Sequence, residues 1–158
     1  MHWSKLIPKK LYDKYLCIQF HSSDLPKFRG GSPVQNQIQN NIIKTKLTAF
    51  KIEQGFDTGK VCMKEKLSLA GNAQDIFQRI EKISLRMINK IIKIKNLKFI
   101  KQKKIGTYYR RRTPDQSNLL CLKNPNFKRI FDFIRMLDAD GYPKSYLNYK
   151  NFKILLND

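Results

Sequence analysis

Acidic side chains are scarce in this sequence: 12 Asp and Glu stand against 32 Lys and Arg, a formal net charge of +20 at pH 7. Taken alone, that imbalance points to nucleic acid or another polyanion as a partner. Lysine occurs in every segment, however, so a solvated lysine-rich surface is the competing reading. Cysteine is also sparse. Cys17, Cys62 and Cys121 are odd in number and widely spaced, and only His2 and His21 could join them, so no disulfide framework or zinc site is expected. Reduced thiols fit a reducing compartment, with the cytoplasm the expected location. No apolar run has the length needed to cross a bilayer, and no membrane partner is expected. Lys5, Pro8, Lys9 and Lys10 break up Leu6 and Ile7, which denies the start of the chain the apolar core of a signal peptide.

What is present suits a globular protein. Hydrophobic residues make up 41% of the 158 and charged residues 28%, enough for one domain with a real core. No internal repeat or low-complexity linker divides the chain. The most informative stretch is residues 17–33. An apolar-alternating run ends at His21, a Ser/Asp/Pro loop follows, and Gly30 and Gly31 lead to Ser32-Pro33, which reads as an N-cap and first helical turn. A strand over 16–20 thus hands His21 to a loop, where α/β enzymes place their chemistry.

The helix after Ser32 places Val34, Ile38 and Ile42 on one face. Its amides, Gln35, Asn36, Gln37, Gln39, Asn40 and Asn41, read mostly as a solvent face. Gln35 and Asn36, in the first turn, lie nearest the histidine loop and are the candidates for substrate contact. Strands are expected over 45–52 and 61–69, antiparallel, joined by Glu53-Gln54-Gly55-Phe56-Asp57-Thr58-Gly59. By residue type alone that segment is an ordinary hairpin turn. A long helix over about 72–95 opens with Asn72 and Asp75 as a capping box and carries the stripe Ile76, Ile80, Ile83, Met87 and Ile91.

The two loops together, His21, Ser23-Asp24-Leu25-Pro26, Arg29-Gly30 and then Asp57-Thr58-Gly59, resemble the folate-dependent formyltransferases in content, order and spacing over roughly residues 3–95. In that family the strand ends Asn-x-His, a Ser-Leu-Leu-Pro-x-x-Arg-Gly loop follows, and an Asp-x-Gly-x-Asp-Thr-Gly loop comes about 35 residues later. Gln19 stands where the family has asparagine. The resemblance implies an α/β fold: residues 1–100 as the C-terminal portion of a Rossmann-like formyltransferase domain, and 101–158 as a basic loop, helix and short hairpin extension. Family members carry further strands before the one ending at His21. The expectation is therefore either a fragment, or a chain whose parallel strand gains its missing neighbour from a complementing N-terminal fragment or a second copy.

The implied chemistry is transfer of a formyl group from 10-formyltetrahydrofolate to an amine, through a tetrahedral centre bearing an oxyanion. His21 would donate to the oxyanion and Asp57, facing it, would favour the imidazolium and relay a proton. Gln19 keeps the family's amide but one methylene farther out. The backbone of Glu53, Gln54, Gly55 and Phe56 is expected to line the pterin pocket. Arg29 reads as an anchor for its loop.

Beyond the long helix the chain turns basic, with lysines at 101, 103 and 104, and then Tyr108, Tyr109, Arg110, Arg111 and Arg112. Tyr109 and the three arginines could clamp a phosphate and stack a base or sugar, or form a solvated basic loop. Asn124-Pro125 repeats the cap-then-proline signal, and Phe127, Ile130, Phe131, Ile134 and Leu137 form a second stripe. Gly141 and Pro143 end that helix, and a hairpin over 146–156 follows. The arginine run and the turn at 138–143 favour a nucleotide-linked amino sugar as acceptor, with tRNA the alternative. A competing reading keeps the fold without the chemistry, as an inactive remnant or a basic nucleic-acid-binding module.

Overall fold

The computed structural model describes residues 6–103 and 106–157. The expectations that involve His2, Lys5 and Lys104 lie outside them. A short helix α1 (Lys9–Lys14) precedes β1 (Ile18–His21); β2 (Arg29–Gly30), α2 (Pro33–Gln39), β3 (Lys44–Lys51), β4 (Val61–Ser68) and α3 (Ala73–Ile91) follow. After them come β5 (Tyr108–Tyr109), two 3-10 turns (Pro114–Ser117 and Leu119–Cys121), α4 (Phe127–Arg135), β6 (Ser145–Tyr149) and β7 (Phe152–Leu156).

The main sheet has the order β1-β3-β4 and both pairings are antiparallel. The parallel neighbour expected for β1 would lie on its other edge, where no described strand pairs with it. The connection from β1 to β3 carries the two-residue β2 and the seven-residue α2, the latter about 10 Å of helix, and β3 starts beyond the end of β1 and runs back along it, with His21 opposite Thr48. Central β3 is buried at Leu47, Thr48, Ala49 and Phe50, as a strand flanked and covered on both sides must be.

Helix α3 lies across this sheet. Asn72 accepts from the Asp75 N–H at 3.0 Å and Asp75 returns the bond to the Asn72 N–H at 3.3 Å, the reciprocal cap that its sequence announces. Ile76, Ile80, Ile83 and Met87 are buried against Leu47, Leu67 and Leu69. Burial of each such side chain contributes about 1.5–3 kcal/mol relative to exposure, which is what fixes the helix on the sheet.

Three local expectations give way. Ser32 occupies the N-cap position of α2 but with left-handed backbone (φ 49°) and no capping bond; its hydroxyl accepts from the Arg112 N–H instead. Ile42 falls beyond α2, and Gln35, Asn36 and Gln37 are buried rather than solvated. In α4 the cap is Asn126, which accepts from the Arg129 N–H, not Asn124. Its buried face is Phe133, Met136 and Leu137 with the Asp132–Arg135 pair, while Phe127 and Phe131 stay exposed. The helix starts after the later cap, and its buried face differs from the stripe read from sequence.

The segment at 106–112 is not a free basic loop. It lies against the histidine loop, with β5 parallel to β2 and the N–H groups of Arg29 and Gly31 donating to Thr107 O and Tyr109 O. The approach needs glycine: a Cβ on Gly106 would stand 1.5 Å from Pro26 O, and one on Gly31 2.3 Å from Arg111 Cα.

Candidate functional site

Alternation along β1 sends Gln19 and His21 to the same face of the strand, and both open on a cavity of about 520 Å3. Asp57 and Ile52, at the β3–β4 connection, and Gly30, Gly31 and Pro33, at the start of α2, form other parts of its wall. Arg111, Arg112, Thr113, Leu137 and Tyr142 contribute from the C-terminal third of the chain.

His21 and Asp57, 36 residues apart, meet here. Both side chains are buried, with 6% and 11% of their surface exposed, and His21 Nδ1 lies 3.5 Å from Asp57 Oδ2. The other ring nitrogen, Nε2, is 2.7 Å from Phe28 O, an acceptor only, so it carries a proton there. Each ring nitrogen thus faces an oxygen acceptor. Asp57 Oδ2 also accepts from the Gly30 N–H at 2.7 Å, which leaves Oδ1 without a partner among the described residues. Asp57 adopts φ 53°, a left-handed conformation that aspartate tolerates better than most residues.

The remaining candidates separate. Gln19 stands in the cavity wall, and its amide has no hydrogen bond among the described residues. Gln35 lines the cavity while its amide donates to Met136 O at 3.2 Å. Asn36 does not reach the wall; it donates to Gly31 O at 2.9 Å and braces the loop before α2. Glu53, Gln54, Gly55 and Phe56 lie outside the wall, on the turn that presents Asp57; Thr58 Oγ1 donates to Gln54 O, and exposed Phe56 leans on Tyr108.

Arg111 and Arg112 reach the cavity, whereas Arg110 is exposed and outside it, and Tyr109 stacks on Phe28 at 5.2 Å. Arg112 is held firmly. It donates to Gln39 Oε1 at 3.3 Å and to Gln116 O, and its guanidinium lies 5.7 Å from the Phe133 ring centre. Burial pushes its pKa below the ordinary arginine value, yet a guanidinium remains charged at neutral pH.

Two contributors have no sequence signal. Phe28 acts through its carbonyl, which no side chain announces. Gln102 sits among lysines, and its amide joins Arg29 to the Asp57 turn. Arg29 is therefore an anchor for its loop.

Residues 1–91 match the family model described as Formyl transferase, more than half of the chain. The chain belongs to the formyl transferase family. Residues 114–158 match a second model, described as Methionyl-tRNA formyltransferase, C-terminal domain. A methionyl-tRNA formyltransferase of Endomicrobium trichonymphae is 34% identical over 96 residues, covering 58% of this chain and 31% of that protein. The structure of the methionyl-tRNA formyltransferase from Clostridium thermocellum superposes with a TM-score of 0.93 at 39% identity, over 99% of this chain and 68% of that one. A 4-N formyltransferase from Francisella tularensis shares the fold, with a TM-score of 0.81 at 22% identity over 99% of this chain and 67% of that chain. This formyl transferase chain spans from about a third to half of the length of the curated relatives it matches.

Proposed function

We propose that this chain carries the formyl-transfer site of an enzyme that formylates the amine of methionyl-tRNA. The observation that carries the reading is the pairing of His21 with Asp57 at 3.5 Å in the wall of a cavity that also holds an uncommitted amide, Gln19. The donor set suits 10-formyltetrahydrofolate, the family's formyl donor. When bound, that group supplies an activated formyl carbon whose oxygen becomes negative during attack by the amine.

Gln19 supplies the hydrogen bond to that oxygen, since its amide is the one not already engaged. His21, with Nε2 at Phe28 O and Nδ1 facing Asp57, holds the carboxylate's side of a water-poor wall, where a polar contact counts for more than in solvent. Asp57 Oδ1 would accept the proton lost by the attacking amine and pass it to the folate nitrogen that leaves as its bond to the formyl carbon breaks, while Oδ2 keeps the carboxylate in place through Gly30. The apolar wall of Ile18, Phe20, Ile52 and Leu137 keeps water from competing for the formyl group.

Methionyl-tRNA as acceptor is supported by the family model over 114–158 and by the 39% identical structure. A second reading, the nucleotide-linked amino sugar, draws on Arg111 and Arg112 in the cavity wall, where a diphosphate could be held. The two separate in one assay: 10-formyltetrahydrofolate with either methionyl-tRNA or an amino-sugar nucleotide, following formylated product. The expected result is transfer to methionyl-tRNA that falls about 100-fold or more in His21→Ala and in Asp57→Asn. Equal rates in wild type and both variants, or no transfer to either acceptor, would sink the reading and leave the basic binding module.

A further inference from the structure

The structure assigns Gln102 the role of positioning residue for the Asp57 carboxylate; its catalytic consequence rests on the formyl-transfer reading, its geometry does not. Gln102 is 45 residues from Asp57 in sequence, yet its amide is fully used between the two loops that make the site. Oε1 accepts from Arg29 Nη2 at 2.5 Å, and Nε2 donates to Asp57 O at 2.9 Å and to Gly59 O at 2.8 Å. Guanidinium can only donate and a carbonyl can only accept, so no other orientation of the amide satisfies all three.

The turn it holds is one that needs holding. Asp57 has φ 53°, and Gly59 packs so closely that a Cβ there would lie 1.8 Å from Lys51 O. A left-handed non-glycine residue is strained and persists only when its surroundings impose it. The same turn aims the carboxylate, whose Oδ2 meets the Gly30 N–H at 2.7 Å and faces His21 at 3.5 Å. Arg29 and Gly30 are adjacent. Gln102 therefore grips the turn by its carbonyls and the loop by its arginine, closing a ring that runs Arg29, Gly30, Asp57, Gln102. If the ring opens, the turn relaxes and Oδ2 swings off His21; a shift of about 1 Å in such a group can cost on the order of 100-fold in rate.

Two substitutions test this. Gln102→Leu removes all three bonds, while Gln102→Glu keeps an acceptor for Arg29 and sets a carboxylate oxygen against two carbonyls. Hydrogen exchange of the Gly30 amide reads the carboxylate directly, with no need for activity. In both variants Gly30 is expected to exchange about tenfold faster or more, with the β3 and β4 amides unchanged. Formyl transfer, measured alongside, is expected to lose about 10- to 100-fold in kcat with KM for the amine within about twofold. Gly30 exchange equal to wild type in both variants, or accelerated only in step with β3 and β4, overturns the assignment. If Gln102→Leu fails to fold, Gln102→Glu decides alone. A Gly30 response in a protein whose wild type transfers no formyl group supports the positioning role and removes the activity reading.

Discussion

At the scale of single residues, chemistry carried by contiguous motifs was legible and chemistry carried by backbone was not. His21, Asp57 and Gln19 stand out through the family resemblance of the two loops, and the fold brings all three to one cavity. The carbonyl of Phe28 and the amide N–H of Gly30 complete their environment, and no side-chain pattern reports either. The loop that carries them is tied down by Asp24. Burial alone would raise that carboxyl, but the ammonium groups of Lys64 and Lys46 outweigh it and hold its pKa below the ordinary value of 3.8. A carboxyl depressed by folding stabilises the native state above its unfolded value, and that contribution is lost as pH falls through the folded value. Urea midpoints are therefore expected to fall on acidification below about pH 4, and Asp24→Asn is expected to show less of this fall while starting from a lower midpoint at pH 7. An identical pH profile in the variant would show that the ion pairs do not anchor the loop. About a third of the Asp24 side chain is exposed, so solvent screening keeps the effect modest.

At the scale of elements, periodicity located the helices and strands but misjudged what faces inward. The amides of α2 look like a solvent face because polarity usually tracks exposure. Here Gln35, Gln37 and Asn36 point inward and satisfy carbonyls of irregular loops, at Met136, Ser22 and Gly31, which no regular element could reach. The same holds in α4, where the sequence stripe overlooks an ion pair on the buried face. Arg135 Nε donates to Asp132 Oδ1 at 2.7 Å, and its Nη1 donates to Leu69 O and Gly71 O at 2.8 and 2.7 Å. One guanidinium thus binds the C-terminal helix to the end of β4 and the turn before α3. Truncating Arg135 leaves the carbonyls of Leu69 and Gly71 without this donor, while Asp132 keeps Lys128 at 2.6 Å. Arg135→Ala is expected to lower unfolding free energy by about 3 kcal/mol, read as a shift in the urea midpoint. A change under about 0.5 kcal/mol, the range of a surface substitution, would mean that the pair holds nothing together.

At the scale of the whole molecule, the α/β class was readable through the resemblance carried by the two loops, and the strands and helices within it through their different periods. The antiparallel β3–β4 pair was readable as well, whereas the antiparallel pairing of β1 with β3 was not, because it depends on the path of a connection rather than on any residue. The meaning of the +20 charge was likewise undecided by composition, but the fold makes the question local. A second groove, of about 730 Å3, is lined by Lys27, Lys44, Lys46, Lys66, Arg79 and Arg86, with Asp24 the one acid among the described residues of its wall. Lys46 and Lys66 sit directly opposite each other on β3 and β4, an arrangement of like charges that is unfavourable unless an anion relieves it. Asp24 is already shared between Lys46 and Lys64. If the charge serves an RNA acceptor, log affinity for tRNA falls linearly with log salt, with a slope of about −3 for roughly four phosphate contacts. Reversing Lys44 and Lys66 to glutamate is expected to reduce the magnitude of that slope by about 2. Reversing Lys150 and Lys153, on the β6–β7 hairpin, removes the same net charge and is expected to leave the slope nearly unchanged. Equal losses from the two pairs would make the charge a lysine-rich surface without a preferred face, because a binding groove weighs position and a diffuse field weighs only the total.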